Sequence, residues 1–130
     1  MSCGTSTYNF TIKRGSTKVF TAQYLDATGS IKNITGYNAR MQIREEPTSG
    51  ITLALSSTGS TANYSTLTVT PTSGSVQVYL SAADTNNLSA DGYFYDLELY
   101  TSNDPYSKSD PEYVIRLLEG FITTTYNVTR

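Results

Sequence analysis

A chain of 130 residues fits one domain and can bury roughly two-thirds of its unfolded surface in a single core, so it needs neither disulfide nor metal staples. Nine basic and eleven acidic residues leave a formal charge of -2, which gives no electrostatic footprint for nucleic acid or an anionic membrane. There is no histidine and a single cysteine, Cys3, which removes the commonest general base, the commonest metal ligand and any internal disulfide, and with them catalytic triads and zinc sites.

Residues 1–7 carry neither the charged nor the apolar region of a secretory signal, and no stretch approaches the roughly 20 apolar residues of a membrane span. We therefore expect folding in a cytoplasm, with a flexible N-terminal arm over 1–7, a domain over 8–125 and a C-terminal arm over 126–130. Tyr8 to Lys13 alternates, with Tyr8, Phe10 and Ile12 on one side. Arg14-Gly15-Ser16 then leads to a strand over Lys18 to Leu25, either as a hairpin or as a bent pair crossing between sheets. Lys13, Arg14 and Lys18 form the one basic cluster and read as a solvated strand end and turn.

Asp26 to Ser30 has the Asp and Gly of a hairpin loop, followed by a short edge strand over Ile31 to Ile34. Asn38 to Arg44 has the cleanest period of two, placing Ala39, Met41 and Ile43 inward as a central strand. Glu45 to Gly50 breaks it, because Pro47 cannot donate to a ladder. Ile51–Leu55 and Ser65–Val69 flank a loop rich in Ser, Thr, Gly and Asn, and Pro71 to Gly74 turns the chain into Val76–Leu80. Ser81 to Leu88 is the helical candidate, with Ser81 as N-cap and Asp84 at the third helical position; about two turns make it a connector.

Gly92 to Tyr100 and Glu112 to Thr124 form the arms of a long hairpin. Tyr93, Tyr95, Leu97 and Leu99 share one face, and Phe94, Asp96 and Glu98 share the other. Seven to nine short strands with one short connecting helix describe an all-β, antiparallel sandwich or barrel; we expect the immunoglobulin-like sandwich, without the immunoglobulin disulfide or tryptophan.

Carboxylate pairs at Glu45-Glu46, Asp96/Glu98 and Asp110/Glu112 are the residual catalytic or calcium candidates. Asp96 and Glu98 lie about 7 Å apart on one strand face, within the range of a glycosidase-like dyad. The preferred reading pairs them with Arg116 or Arg40 across the sheet. Of the eleven tyrosines, Tyr24, Tyr79, Tyr93 and Tyr95 sit in core phase, whereas Tyr37, Tyr64, Tyr100, Tyr106 and Tyr126 lie in or near loops, where rigid amphipathic rings suit a contact surface. Tyr8, Tyr37, Tyr100, Tyr106, Tyr126, Val128 and Arg130 are the candidate partner-binding residues. Asn-x-Ser/Thr triplets at Asn9, Asn33, Asn63, Asn87 and Asn127 are by-products of composition.

The segments Ile34–Arg44, Val76–Leu88, Gly92–Leu99, Arg116–Gly120 and Asn127–Arg130, in that order, span about three quarters of the chain. The run from Asn33 to Arg130 resembles the small β-sandwich domains of tailed-bacteriophage virion proteins, and is similar to the N-terminal domain of siphophage baseplate upper proteins. Thr124 departs from the pattern, standing where an apolar residue is usual. The resemblance implies a virion structural protein of tail, baseplate or neck. Such a protein has no enzymatic activity and no cofactor, and its partners are other virion proteins and copies of itself. Its termini would order on assembly. The alternatives are a module binding a host-surface glycan or receptor, and a capsid decoration protein.

Overall fold

Alternation of apolar and polar residues builds strands, and the strands stack as two sheets. The computed structural model describes residues 6–25, 28–46, 48–58, 65–101 and 113–126. Its strands are β1 (Ser6–Thr7), β2 (Phe10–Lys13), β3 (Lys18–Gln23), β4 (Asn38–Arg44), β5 (Ile51–Ser56), β6 (Thr66–Thr70), β7 (Ser75–Leu80), β8 (Gly92–Thr101) and β9 (Tyr113–Thr125), with a 3-10 turn (Pro71–Ser73) between β6 and β7 and a short α-helix, α1 (Ala82–Asn86), between β7 and β8. The larger sheet runs β1-β9-β8-β4-β5, with β2 also on β9; the smaller runs β3-β7-β6.

The core lies between the two inner faces. Ala39, Met41 and Ile43 of β4 are fully buried, as are Leu97 and Leu99 of β8, and Val76, Val78 and Leu80 of β7 come from the facing sheet. Each of these side chains larger than alanine is worth about 1.5–3 kcal/mol of burial. β4 sits between β5 and β8, the central position expected of it. The hairpin of β8 and β9 is antiparallel, and Tyr93 and Tyr95 turn inward with Leu97 and Leu99. Leu97 pairs with Leu118 but Glu98 with Arg116, so Leu117 is an extra residue. This bulge lets Leu117 and Leu118 both face the core although they are consecutive.

Three expectations are corrected. The sheets are not antiparallel throughout, because β1 and β2 run parallel to β9. The period-two pattern of Phe10 and Ile12 selects a buried face but not a neighbour; after Lys13 the chain crosses to the other sheet, so β2 and β3 cannot close a hairpin. Ile31 to Ile34 is not a strand: Leu25 and Ile31 form a lone bridge, and the Lys32 and Ile34 amides donate to Tyr24 and Pro71 carbonyls. Ile34 is nevertheless a core residue. Tyr79 is half-buried on the outward phase of β7, since Val76, Val78 and Leu80 occupy the inward one.

The Ser81 hydroxyl caps α1 by accepting from the Asp84 amide at 3.2 Å, and the buried Asp84 carboxylate in turn accepts from the Ser65 and Ser81 hydroxyls. Of the N-terminal arm, Ser6 and Thr7 pair with Leu118 and Glu119. Residues 1–5, Cys3 among them, and residues 127–130 lie outside the described residues, as do Asp26, Pro47, Tyr64 and the Asp110/Glu112 pair.

Candidate functional site: the outer face of the larger sheet

Strand register arranges the outward side chains of the larger sheet in rows. Arg44 of β4 stands opposite Phe94 of β8, which stands opposite Phe121 of β9. The next row is Gln42, Asp96 and Glu119, and the one after it Arg40, Glu98 and Arg116. Phe94 and Phe121 remain about two-fifths exposed, and their rings meet edge to face with centroids 5.1 Å apart. Gly92 makes room for this pair, because a Cβ there would stand 2.3 Å from the Phe121 ring. A groove of about 590 Å³ runs past Asn9, Arg44, Phe94, Asp96, Arg116 and Phe121.

Arg40 and Arg116 pair with the carboxylates of this face. The Arg40 guanidinium donates to Glu98 at 2.9 Å and covers the Tyr100 ring, 4.6 Å from its centroid. Arg116 approaches Glu98 at 3.2 Å and Asp96 at 3.6 Å. The cross-strand pairing of Asp96 and Glu98 with arginines is thus present, which ties both carboxylates into an ion-pair network. Arg44 donates to Gln42 at 2.9 Å and to the Ser49 carbonyl. Asp96 and Glu119 are direct cross-strand neighbours, an arrangement that like charges disfavour. Loss of solvent raises the Asp96 carboxyl above the ordinary aspartate range, Glu98 adds to the rise, and Arg116 and Arg44 oppose it.

The rim beside β9 is held by a glycine and a tyrosine. A Cβ at Gly120 would lie 2.2 Å from the Tyr8 carbonyl oxygen, so only glycine lets the N-terminal segment approach. Tyr95, paired with Gly120, donates its hydroxyl to that same carbonyl. Burial pushes the Tyr95 hydroxyl up, and Tyr8 adds to the shift, so it stays a neutral donor. Between β1 and β2 the Asn9 side-chain oxygen accepts from the Phe121 amide at 2.9 Å, completing a ladder the backbone leaves open.

Arg14 corrects the reading of a solvated basic turn. Its guanidinium donates to the Leu88 carbonyl at 2.6 Å, to the Ser89 and Ala90 carbonyls at 2.9 Å, and to the Thr124 hydroxyl at 3.2 Å. It also lies over Tyr126, 4.6 Å from the ring centroid. Thr124 is buried because its hydroxyl both accepts from Arg14 and donates to Ala90, which is why a polar residue stands at that position of β9.

The candidate tyrosines are spread. Tyr8 stacks on Phe10 and meets Phe20 at a tilt at the β1–β2 edge, Tyr37 packs partly against the core and meets Tyr113, Tyr100 lies under Arg40, and Tyr126 stands most exposed beside Arg14. Tyr106, Val128 and Arg130 lie outside the described residues. Among the described residues no group of three or more His, Cys, Asp or Glu has a metal-holding arrangement, and no helix is long and apolar enough to cross a membrane. The chain matches no family model and no curated protein. Sequence reasoning had named none of Arg44, Phe94 and Phe121 as contact residues. The available signal was Phe94 in the polar phase of β8, an aromatic ring where alternation calls for a wet side chain.

Proposed function

We propose that the chain is a non-enzymatic structural protein of a bacteriophage virion, an assembly module of tail, baseplate or neck that acts through protein–protein contacts in a symmetric particle. The observation carrying this reading is the outer face of the larger sheet, where two exposed phenylalanines adjoin arginines and carboxylates already paired with one another. Such a surface suits burial against another folded surface, because aromatic rings supply contact area and paired charges supply register. The sequence resemblance over Asn33 to Arg130 supplies the virion setting.

The fold is read as immunoglobulin-like on its strand order. β3-β7-β6 follows the B-E-D order of that fold, and β9-β8-β4-β5 follows G-F-C with the additional strand of variable-type domains. Tyr93, at the start of β8, accepts from the Ala90 amide at 2.8 Å and so ties its ring to the preceding corner, as the tyrosine of the equivalent strand does there. A glycan- or receptor-binding module expects exposed tyrosines gathered on one face or loop end; the described ones are dispersed. Proteomics of purified particles tests the proposal. Recovery of the polypeptide at constant stoichiometry supports it, and its absence from particles, or substrate turnover by the isolated chain, contradicts it.

A further inference from the structure

Within the outer face three β4 side chains stand beside a complement on β8: Arg40 beside Glu98, Gln42 beside Asp96, Arg44 beside Phe94. A two-fold axis lying in the face, parallel to the strands and midway between β4 and β8, sets each β4 residue of one copy over the β8 complement of the other at the same height. Arg40 then meets a second Glu98, Gln42 a second Asp96, and Arg44 a second Phe94 ring as a cation–π contact. The same operation brings Ile51 of β5, which is 48% exposed, toward Phe121 of the other copy. Two neighbouring two-folds fail. An axis along β8 itself opposes Asp96 to Asp96 and Glu98 to Glu98, and one running across the strands through the Gln42 row opposes Arg40 to Arg44.

We propose that this face docks a second copy of the chain through the two-fold between β4 and β8. Aligned sheets twist by about 30°, which keeps the three central rows near their counterparts close to the axis. Four strands about 4.8 Å apart and three rows about 7 Å apart give a footprint of roughly 400 Å² per copy, below the usual size of a stable interface. The dimer is therefore weak alone and gains strength when repeated in a closed assembly. The proposal rests on the assembly reading for its use and names the partner of that same face.

Sedimentation velocity of the full chain, with circular dichroism to verify folding, tests it. The unmodified chain is expected to dimerise as concentration rises toward the millimolar range. Arg40→Glu and Glu98→Arg should each weaken dimerisation at least about tenfold, because each creates two like-charge contacts across the axis. An equimolar mixture of the two variants should dimerise again, since the mixed contact reunites opposite charges although both chains have lost the internal pair. Ile51→Asp, at an exposed edge-strand position, should weaken dimerisation as well and serves if either charge variant fails to fold. A monomer at all concentrations, a mixture that stays monomeric, or an Ile51→Asp chain that dimerises normally would overturn the proposal. No dimer in solution from a protein found in particles removes this interface and leaves the assembly reading standing; a dimer absent from particles does the reverse.

Discussion

Arg14 closes one end of the molecule by gathering three consecutive carbonyls of the turn that enters β8. Its side chain is only 12% exposed, and charge-assisted bonds of this kind contribute more than neutral ones. Arg14→Ala should cost about 2–4 kcal/mol in urea unfolding, and Arg14→Lys should recover less than half, because one ammonium cannot span three carbonyls and a hydroxyl. A loss under about 0.5 kcal/mol would contradict the clasp. The sequence hid this role because the partners lie 74 to 110 residues away, while the visible neighbours are Lys13 and Lys18. Asp96 was legible as a partner of Arg116, but its crowding by Glu119 depends on the bulge at Leu117. Its raised pKa means that folding favours the protonated form. The associated stability is complete below the unfolded pKa, near 4, and is lost as pH climbs through the folded value. Asp96→Asn should therefore raise Tm at neutral pH, with the gain vanishing on acidification below about pH 4. A variant less stable than the parent at neutral pH would refute this.

At the scale of elements, the N-terminal segment depends on β9 more than on its own pattern. β1 and β2 reach the sheet by parallel pairing, the Asn9 side chain fills the break between them, and Gly120 and Tyr95 fix the approach of Tyr8. Gly120→Ala places a methyl against backbone and should destabilise by about 2 kcal/mol, while Tyr95→Phe, which removes one donor, should cost about 1 kcal/mol. Faster hydrogen exchange confined to amides pairing β9 with β1 and β2 would locate the damage; unchanged exchange there would count against the coupling. β4, β8 and β9 were legible because alternation over seven or more residues fixes both strand and buried face. The parallel partner of β2 was not, since pairing across the sheet leaves no local mark. Ile34 shows the converse failure: a lone buried anchor, its amide bonded to the Pro71 carbonyl and its own carbonyl accepting from the Tyr37 amide, resembles the end of a strand.

At the scale of the whole molecule, the described residues form two sheets around one apolar core, and the outer face of the larger sheet carries the exposed pair Phe94 and Phe121. The tyrosines that the sequence offers as contact residues stand at dispersed positions, because loop proximity does not indicate which side chains share a face. Deleting residues 1–5 or 127–130 should leave thermal unfolding within a few degrees of the intact chain while abolishing incorporation into particles; full incorporation of both truncations would end the role given to the termini. Electron cryomicroscopy of the source particle tests the central claim most directly. This domain is expected in symmetry-related copies whose larger sheets face neighbouring protein. Particles lacking the domain, or holding it with that face entirely in solvent, would contradict it.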